Sequence, residues 1–203
     1  MKIRLGIPIG NGSLFPKTKT MIENLYRVGN DLTIEPVIVP GCSPTTGRNI
    51  ALTLGQGLRK PILDFDYYLS CDNDVSFTIS DIQILLSHDF PICGIPYLSR
   101  LYKNRFCGGF WKDDRSGVIA ESTHLTENTR GLVRVLWAGL GALLIKKKVF
   151  EELDYPYFRE TYMMIDKFCW PISDDIQFAM DLEMRNIPIF LDCNLRADHE
   201  FNR

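Results

Sequence analysis

The chain lacks a long hydrophobic run, an excess of either charge and any paired-cysteine motif. Its most apolar stretch, residues 135–145 (VLWAGLGALLI), is far shorter than the roughly 20 residues of a membrane-spanning helix. The N-terminal MKIRLGIPIGNGSLF starts basic, but glycines and prolines interrupt it before a secretory core forms. No transmembrane segment is expected, and a peripheral membrane contact has no support in the sequence. Lys+Arg 23 against Asp+Glu 25 gives a formal charge of −2. That lacks the basic face duplex nucleic acid demands, so no nucleic-acid partner is expected. The six cysteines (Cys42, Cys71, Cys93, Cys107, Cys169, Cys193) form no C-x-x-C pair, and most sit among apolar neighbours as reduced core thiols do. Reduced thiols suit a cytoplasm, bacterial or, for a viral protein, that of the host. Neither Gly10-Asn11-Gly12 nor Gly139-Leu140-Gly141 continues to G-x-G-x-x-G, so a Rossmann dinucleotide cradle is not supported.

What is present is an ordinary globular composition. The chain has 203 residues, 45% hydrophobic and 24% charged, the size of one domain that needs no metal or disulfide staple to fold. Strands are predicted at 2–9, 36–39, 66–71, 91–97, 133–137, 142–145 and 187–191, with helices at 15–28, 46–58, 80–86, 147–153 and 174–185. The stretch 98–130 is the least regular and is read as a hairpin or a long loop over a site. Strands alternating with helices over short connections predict an α/β domain, a mostly parallel central sheet flanked by helices.

In such sheets ligands bind beyond the carboxyl ends of strands. Asp72-Asn73-Asp74 stands there, directly after the strand at 66–71. Strand alternation sends Asp72 and Asp74 the same way, and two hard oxygen donors suit Mg²⁺ or Mn²⁺ together with phosphate oxygens. A solvated Asp-Asn turn is the plain alternative. Around this pair lie Gly47-Arg48-Asn49 opening a helix and Trp137-Ala138-Gly139-Leu140-Gly141 leading to Lys146-Lys147-Lys148. Ser173-Asp174-Asp175 starts an amphipathic helix, and Arg196-Ala197-Asp198-His199 follows the last strand.

In this order the pieces resemble the GT-A glycosyltransferases, especially the family-2-like group, over essentially the whole chain. The resemblance implies one GT-A domain over 1–203, with a nucleotide-binding part of about 1–97 and an acceptor and catalytic part of about 98–203. The activity it implies is metal-dependent transfer of a sugar from a nucleotide-diphosphate sugar to a glycan or other hydroxyl acceptor. By resemblance Asp74, Asp72 and His199 hold Mn²⁺ or Mg²⁺, and Asp175, with Asp174 beside it, supplies the general base of an inverting displacement. Pro8, Arg48, Asp72, Asn73, Gly139 and Gly141 line the donor, while Trp137 and Trp170 stack on a sugar, with core packing as the alternative for each. N-capping is the structural alternative for the acidic pair. No carboxylate follows the second strand at Val39-Pro40-Gly41-Cys42, which leaves UDP- and GDP-sugars both open. Arg100, Lys103 and Arg105 read by default as solvated charges, with help in holding the phosphate from the middle segment as the alternative.

The chain stops soon after His199, so the acceptor is expected to be small or exposed, or recognised with another domain or polypeptide. A sugar-1-phosphate nucleotidylyltransferase is the enzymatic alternative, echoed by Gly10-Asn11-Gly12-Ser13, but Leu14 stands where its arginine belongs and the late acids and His199 have no part in it. A non-catalytic nucleotide-sugar binding module is the other alternative.

Overall fold

The computed structural model describes residues 1–25, 32–114, 118–165 and 167–200, and the side chains of 111–122 and 165 lie outside that description. Strand β1 (Lys2–Gly10), helix α1 (Pro16–Leu25), β2 (Thr33–Pro40), α2 (Pro44–Leu52) and β3 (Tyr67–Cys71) follow the predicted alternation. Next come β4 (Val75–Ser76), α3 (Ile79–Ser87), β5 (Ile92–Gly94), β6 (Arg105–Asp114) and β7 (Val118–Thr126). The chain continues through β8 (Leu132–Val135), β9 (Trp137–Ala138), β10 (Ala142–Lys146) and α4 (Lys147–Glu152). The remaining elements are β11 (Thr161–Ile165), β12 (Phe168–Ile172), α5 (Asp174–Glu183), β13 (Ile189–Asp192) and β14 (Asp198–His199). The end of the first predicted helix, 26–28, and its Gly29-Asn30 stop lie outside the described residues.

A seven-stranded sheet in the order β2-β1-β3-β10-β5-β13-β8 forms the centre. Strands from both sides of residue 97 share it. The sheet is mixed, not mostly parallel as expected: β1–β2, β1–β3 and β5–β13 pair parallel, whereas β3–β10, β10–β5 and β13–β8 pair antiparallel. The physical reason is that a strand covered on both faces is a continuous apolar run in either direction. Ala142–Ile145 is buried throughout, so its own sequence does not fix its direction between β3 and β5.

Alternation divides the sheet's side chains between two cores. Tyr68, Leu143, Ile145 and Ile92 pack with Leu52 of α2, Phe150 of α4, and Phe178 and Leu182 of α5 on one face. Leu5, Leu69, Leu144 and Cys93 pack with Met21 and Ile22 of α1 and Ile82 of α3 on the other. The irregular middle is the β6–β7 hairpin, which also pairs with β9; its tip at 115–117, with Gly117, lies outside the described residues. Helix α2 starts earlier and stops sooner than predicted. Ser43 Oγ accepts the Thr46 N–H at 3.2 Å and Pro44 takes the first turn, where proline's missing donor costs nothing. No helix among the described residues is long and apolar enough to cross a membrane.

All six cysteines are free. Cys71, Cys93 and Cys193 are buried as expected, but Cys169 is exposed. It lies on a β11–β12 hairpin that the predicted elements omitted.

Buried Asn49 pins the segment leading to that hairpin. Its Nδ2 donates to Phe158 O at 2.6 Å and Thr45 O at 3.0 Å, and its Oδ1 accepts from Tyr157 N at 3.1 Å and Phe158 N at 3.3 Å. Asn49→Ala would orphan backbone groups of the 157–158 segment, each costing about 1–3 kcal/mol when buried and unpaired. Urea denaturation is expected to show a loss of about 2–4 kcal/mol, whereas an unchanged midpoint would mean the segment does not depend on this side chain.

Candidate functional site

A cleft of about 600 Å³ opens where β1 and β3 end. It is lined by Pro8, Arg48, Asp72, Asn73, Asp74, Trp137, Gly139, Asp174, Asp175 and His199, which are separated widely in the chain. Two of the residues expected there are elsewhere. Trp170 is exposed on β12 and is not part of the lining. Gly141 lies behind the wall: its N–H donates to Tyr97 Oη at 2.9 Å and its carbonyl accepts from Asp72 N at 3.2 Å. A Cβ there would come within 2.7 Å of Tyr97 Oη and 2.8 Å of Asp72 Oδ2. One at Gly139 would meet Tyr97 Oη at 2.4 Å and Cys107 Cβ at 2.9 Å. In this structure, then, the two glycines make room for Tyr97 and Asp72.

The carboxylates do not leave an extended strand side by side. Val75 N–H donates to Asp72 O at 3.2 Å, closing a turn over 72–75, and each acid meets its own partner. Asp72 Oδ1 binds Arg48 Nη2, while Arg48 Nη1 donates to Asp174 Oδ2 at 2.5 Å. Arg48 is 4% exposed, so its charge depends on these two acids. The predicted donor-side arginine is thus engaged as a bridge between the β3 end and the start of α5. Its buried Nε has no hydrogen-bond partner among the described residues. Asn73 Nδ2 donates to Ser13 O at 3.1 Å and Asn73 O accepts from Phe15 N at 3.0 Å, so Asn73 holds the loop after β1 against the cleft.

His199 reaches Asp74 through a strand pair that was not predicted. β14 runs antiparallel to β4, with His199 opposite Val75, and Glu200 N donates to Asp74 O at 2.8 Å. Lys17 adds a clasp, its Nζ 2.9 Å from Asp198 Oδ2. His199 Nε2 lies 3.5 Å from Asp74 Oδ2, a carboxylate on a residue only 2% exposed.

Between them enters Arg100, whose guanidinium pairs with Asp74 and whose Nε donates to His199 Nε2 at 3.2 Å. Arg100 was read as a solvated charge; Lys103 and Arg105 are exposed as that reading expects. Arginine only donates and a carbonyl only accepts. His199 Nε2 must therefore be the acceptor, and Nδ1–H donates to Leu98 O at 2.6 Å. Burial, aided by Arg100, pushes the imidazole pKa down and keeps the ring neutral.

A neutral imidazole whose other N–H is held by a backbone carbonyl is the usual state of a metal-binding histidine. Among the described residues no group of three or more His, Cys, Asp or Glu is arranged to hold a metal ion, and Asp72, expected to join Asp74 and His199, is turned to Arg48. Asp74 and His199 nevertheless fit one. A hard divalent cation takes one or two protein donors and fills its remaining positions with phosphate oxygens and water. The Arg100 guanidinium already stands in for the positive charge.

Asp175 lies on the other side of Asp174. Ser173 Oγ donates to its Oδ1, which also accepts the Ile176 N–H at 2.9 Å, while Asp174 Oδ1 accepts the Asp175 N–H at 3.1 Å. The acids themselves satisfy free donors of the α5 terminus, as the capping alternative expects, and Ser173 at the N-cap position makes no side-chain cap bond. Burial, with Asp174 beside it, pushes the Asp175 carboxyl above the ordinary aspartate range despite these hydrogen bonds. Trp137 is buried, its ring edge-on to His124 at 5.0 Å, so it is a wall of the cleft and part of the core at once. Tyr97 and Arg100, missed as site residues, belong to the segment after β5. Its tyrosine and arginine carry no motif that reveals a partner some 100 residues away.

No protein-family model matches this chain, and no curated protein matches it. Among solved structures it is similar to A197 from STIV, a crystal structure, with 18% sequence identity and a TM-score of 0.64. That alignment covers 100% of this chain and 87% of the other. At such identity the likeness is one of fold.

Arg48→Met keeps bulk but leaves Asp72 and Asp174 facing each other without a cation. Breaking a buried pair this way costs about 3–5 kcal/mol; since both acids retain some water, the lower end is expected in thermal or urea unfolding. Arg48→Lys should restore only part, because one ammonium lacks the planar fork that holds two carboxylates.

Proposed function

We propose that this chain is a GT-A-type glycosyltransferase that moves a sugar from a UDP- or GDP-sugar to a hydroxyl acceptor with Mn²⁺ or Mg²⁺. The observation that supports this reading is the gathering of Arg48, Asp72, Asp74, Asp174, Asp175 and His199 around one cleft beyond the strand ends. A nucleotidylyltransferase would have no use for Asp175 and His199. A pure binding module would have no evident use for two acidic sets, Asp72 with Asp74 and Asp174 with Asp175, at one cleft.

In this mechanism Asp74 and His199 would hold the cation, and the chemistry it would supply when bound is Lewis-acid neutralisation of the departing diphosphate. Arg48 is a positioning residue: it fixes Asp72 toward the donor and Asp174 beside Asp175. Asp175 takes the proton from the acceptor hydroxyl as that oxygen attacks the anomeric carbon, and the bond to the diphosphate breaks with its electron pair on the phosphate. A carboxylate whose pKa is raised is a better base at neutral pH than an ordinary one. Direct displacement of this kind inverts the anomeric centre.

Two variants separate the roles. Asp74→Ala is expected to abolish Mn²⁺-dependent binding of the nucleotide sugar, read by calorimetry. Asp175→Asn should keep that binding and lose about 10²–10⁴-fold in transfer, the usual worth of a positioned base. Wild-type transfer by both variants would end the assignment.

Asp175 also makes a stability prediction whose sign follows from burial. Its folded pKa is raised, so the folded state favours the protonated acid and ionisation above that pKa costs stability. Asp175→Asn, which retains the acceptor oxygen, is expected to melt at a higher temperature than wild type at pH 7. That advantage should fade as pH falls through the aspartate range. A lower Tm at pH 7 would show that the ionised carboxylate is stabilised in place.

A further inference from the structure

The β11–β12 hairpin stands apart from the central sheet as a two-stranded ribbon. Its sequence from Tyr162 to Ile172, YMMIDKFCWPI, is interrupted only by Asp166-Lys167. The register pairs Tyr162 with Pro171, Met163 with Trp170, Met164 with Cys169 and Ile165 with Phe168. Directly opposed residues share a face and successive residues alternate. One face therefore carries Tyr162, Met164 and Cys169, and the other carries Met163, Trp170 and Phe168. Both are bare: Tyr162 is 76%, Met164 65%, Phe168 68% and Trp170 53% exposed.

The ribbon's root, by contrast, is held. Thr45 Oγ1 donates to Glu160 Oε1 at 2.9 Å and Thr161 Oγ1 to Gln177 Oε1 at 2.5 Å, tying the root to the starts of α2 and α5. β12 then runs through Ser173 directly into Asp174 and Asp175 at the cleft.

Contiguous exposed apolar surface of this kind marks an interaction site. A groove on a protein partner covers one face of a ribbon and leaves the other in water. A medium that surrounds the ribbon covers both. The residue types agree, since tryptophan and tyrosine favour the membrane–water boundary, and the long stem of exposed Lys167 at the turn lets its charge reach the headgroups. Depth is limited, because the ribbon's unpaired backbone edges cannot enter hydrocarbon.

We propose that this hairpin is a membrane-interface finger whose exposed Tyr162, Met164, Phe168 and Trp170 seat at the headgroup–acyl boundary of a lipid bilayer. The apolar side chains go about 5–10 Å deep, the depth typical of interfacial segments, and the hairpin itself does not span. Since the finger springs from the Asp175 side of the cleft, acceptor hydroxyls carried at headgroup level would be presented to that carboxylate. This last consequence rests on the transferase reading; the membrane contact itself does not.

The test is flotation of the full chain with phosphatidylcholine vesicles, alone and mixed with phosphatidylglycerol, while tryptophan emission is recorded. Wild type is expected to float on both and to shift its emission to the blue. Met164→Ser combined with Phe168→Ser, both at exposed positions, should lose flotation without lowering Tm. Trp170→Phe should still float but lose the blue shift. Absence of wild-type flotation, flotation on anionic vesicles alone, or flotation of the double variant equal to wild type would each overturn the proposal. So would wild-type self-association in the absence of lipid that the double variant abolishes, which assigns the finger to a second copy of the chain. Because none of these readouts involves sugar transfer, an inactive protein that floats would count against the transferase reading alone.

Discussion

A guanidinium buried between two carboxylates organises this molecule's cleft. Arg48 comes from α2, Asp72 from the end of β3 and Asp174 from the start of α5, and none of the three is stable there alone. Burying the arginine is costly without both acids, and the acids would repel each other without the arginine. The triad therefore couples the position of two helices and the turn after β3, and through Asp174 it sets where Asp175 stands. Asn49, the next residue, fastens the opposite side of α2 to the 157–158 segment. One turn of helix thus braces both walls of the cleft and the root of the exposed hairpin.

A second charge balance lies beside the first. Asp74 is buried deeply enough to require a cation, and Arg100 supplies it while also donating to His199. The β4–β14 pair gives this arrangement rigidity, because backbone hydrogen bonds place His199 opposite Val75 whatever occupies the cleft. In the proposed mechanism the same acid and imidazole serve a divalent ion, which needs a neutral ring and an anionic oxygen. Both are present, and the ring's other nitrogen is already committed to Leu98 O.

The alternation of strands and helices was legible because each element carries its own period. Asp72 and Asp74 were placed at the cleft by the strand end before them, a local signal, whereas Asp175 and His199 were drawn to it only by the resemblance in motif order. Arg100 was not legible, since its partners Asp74 and His199 come from other segments of the chain and nothing in its neighbourhood distinguishes it from a solvated base. Trp170 was misassigned for a related reason: an aromatic in an apolar run reads equally as core, sugar platform or exposed surface. The two glycines were recognised as needing space around them, but the residues that fill it, Tyr97 and Asp72, come from the segments after β5 and β3.

Local chemistry in the chain determined which segments become strands or helices, that the composition suits an α/β fold, and which carboxylates stand at element ends. These follow from neighbouring residues, through periodicity, capping and turn preference. Tertiary structure alone decided that β10 runs antiparallel between β3 and β5, that Arg48 faces acids instead of solvent, and that a C-terminal strand carries His199 to Asp74. Direction, pairing partner and charge neutralisation depend on groups distant in sequence, whose meeting is set by how the two cores pack against the sheet.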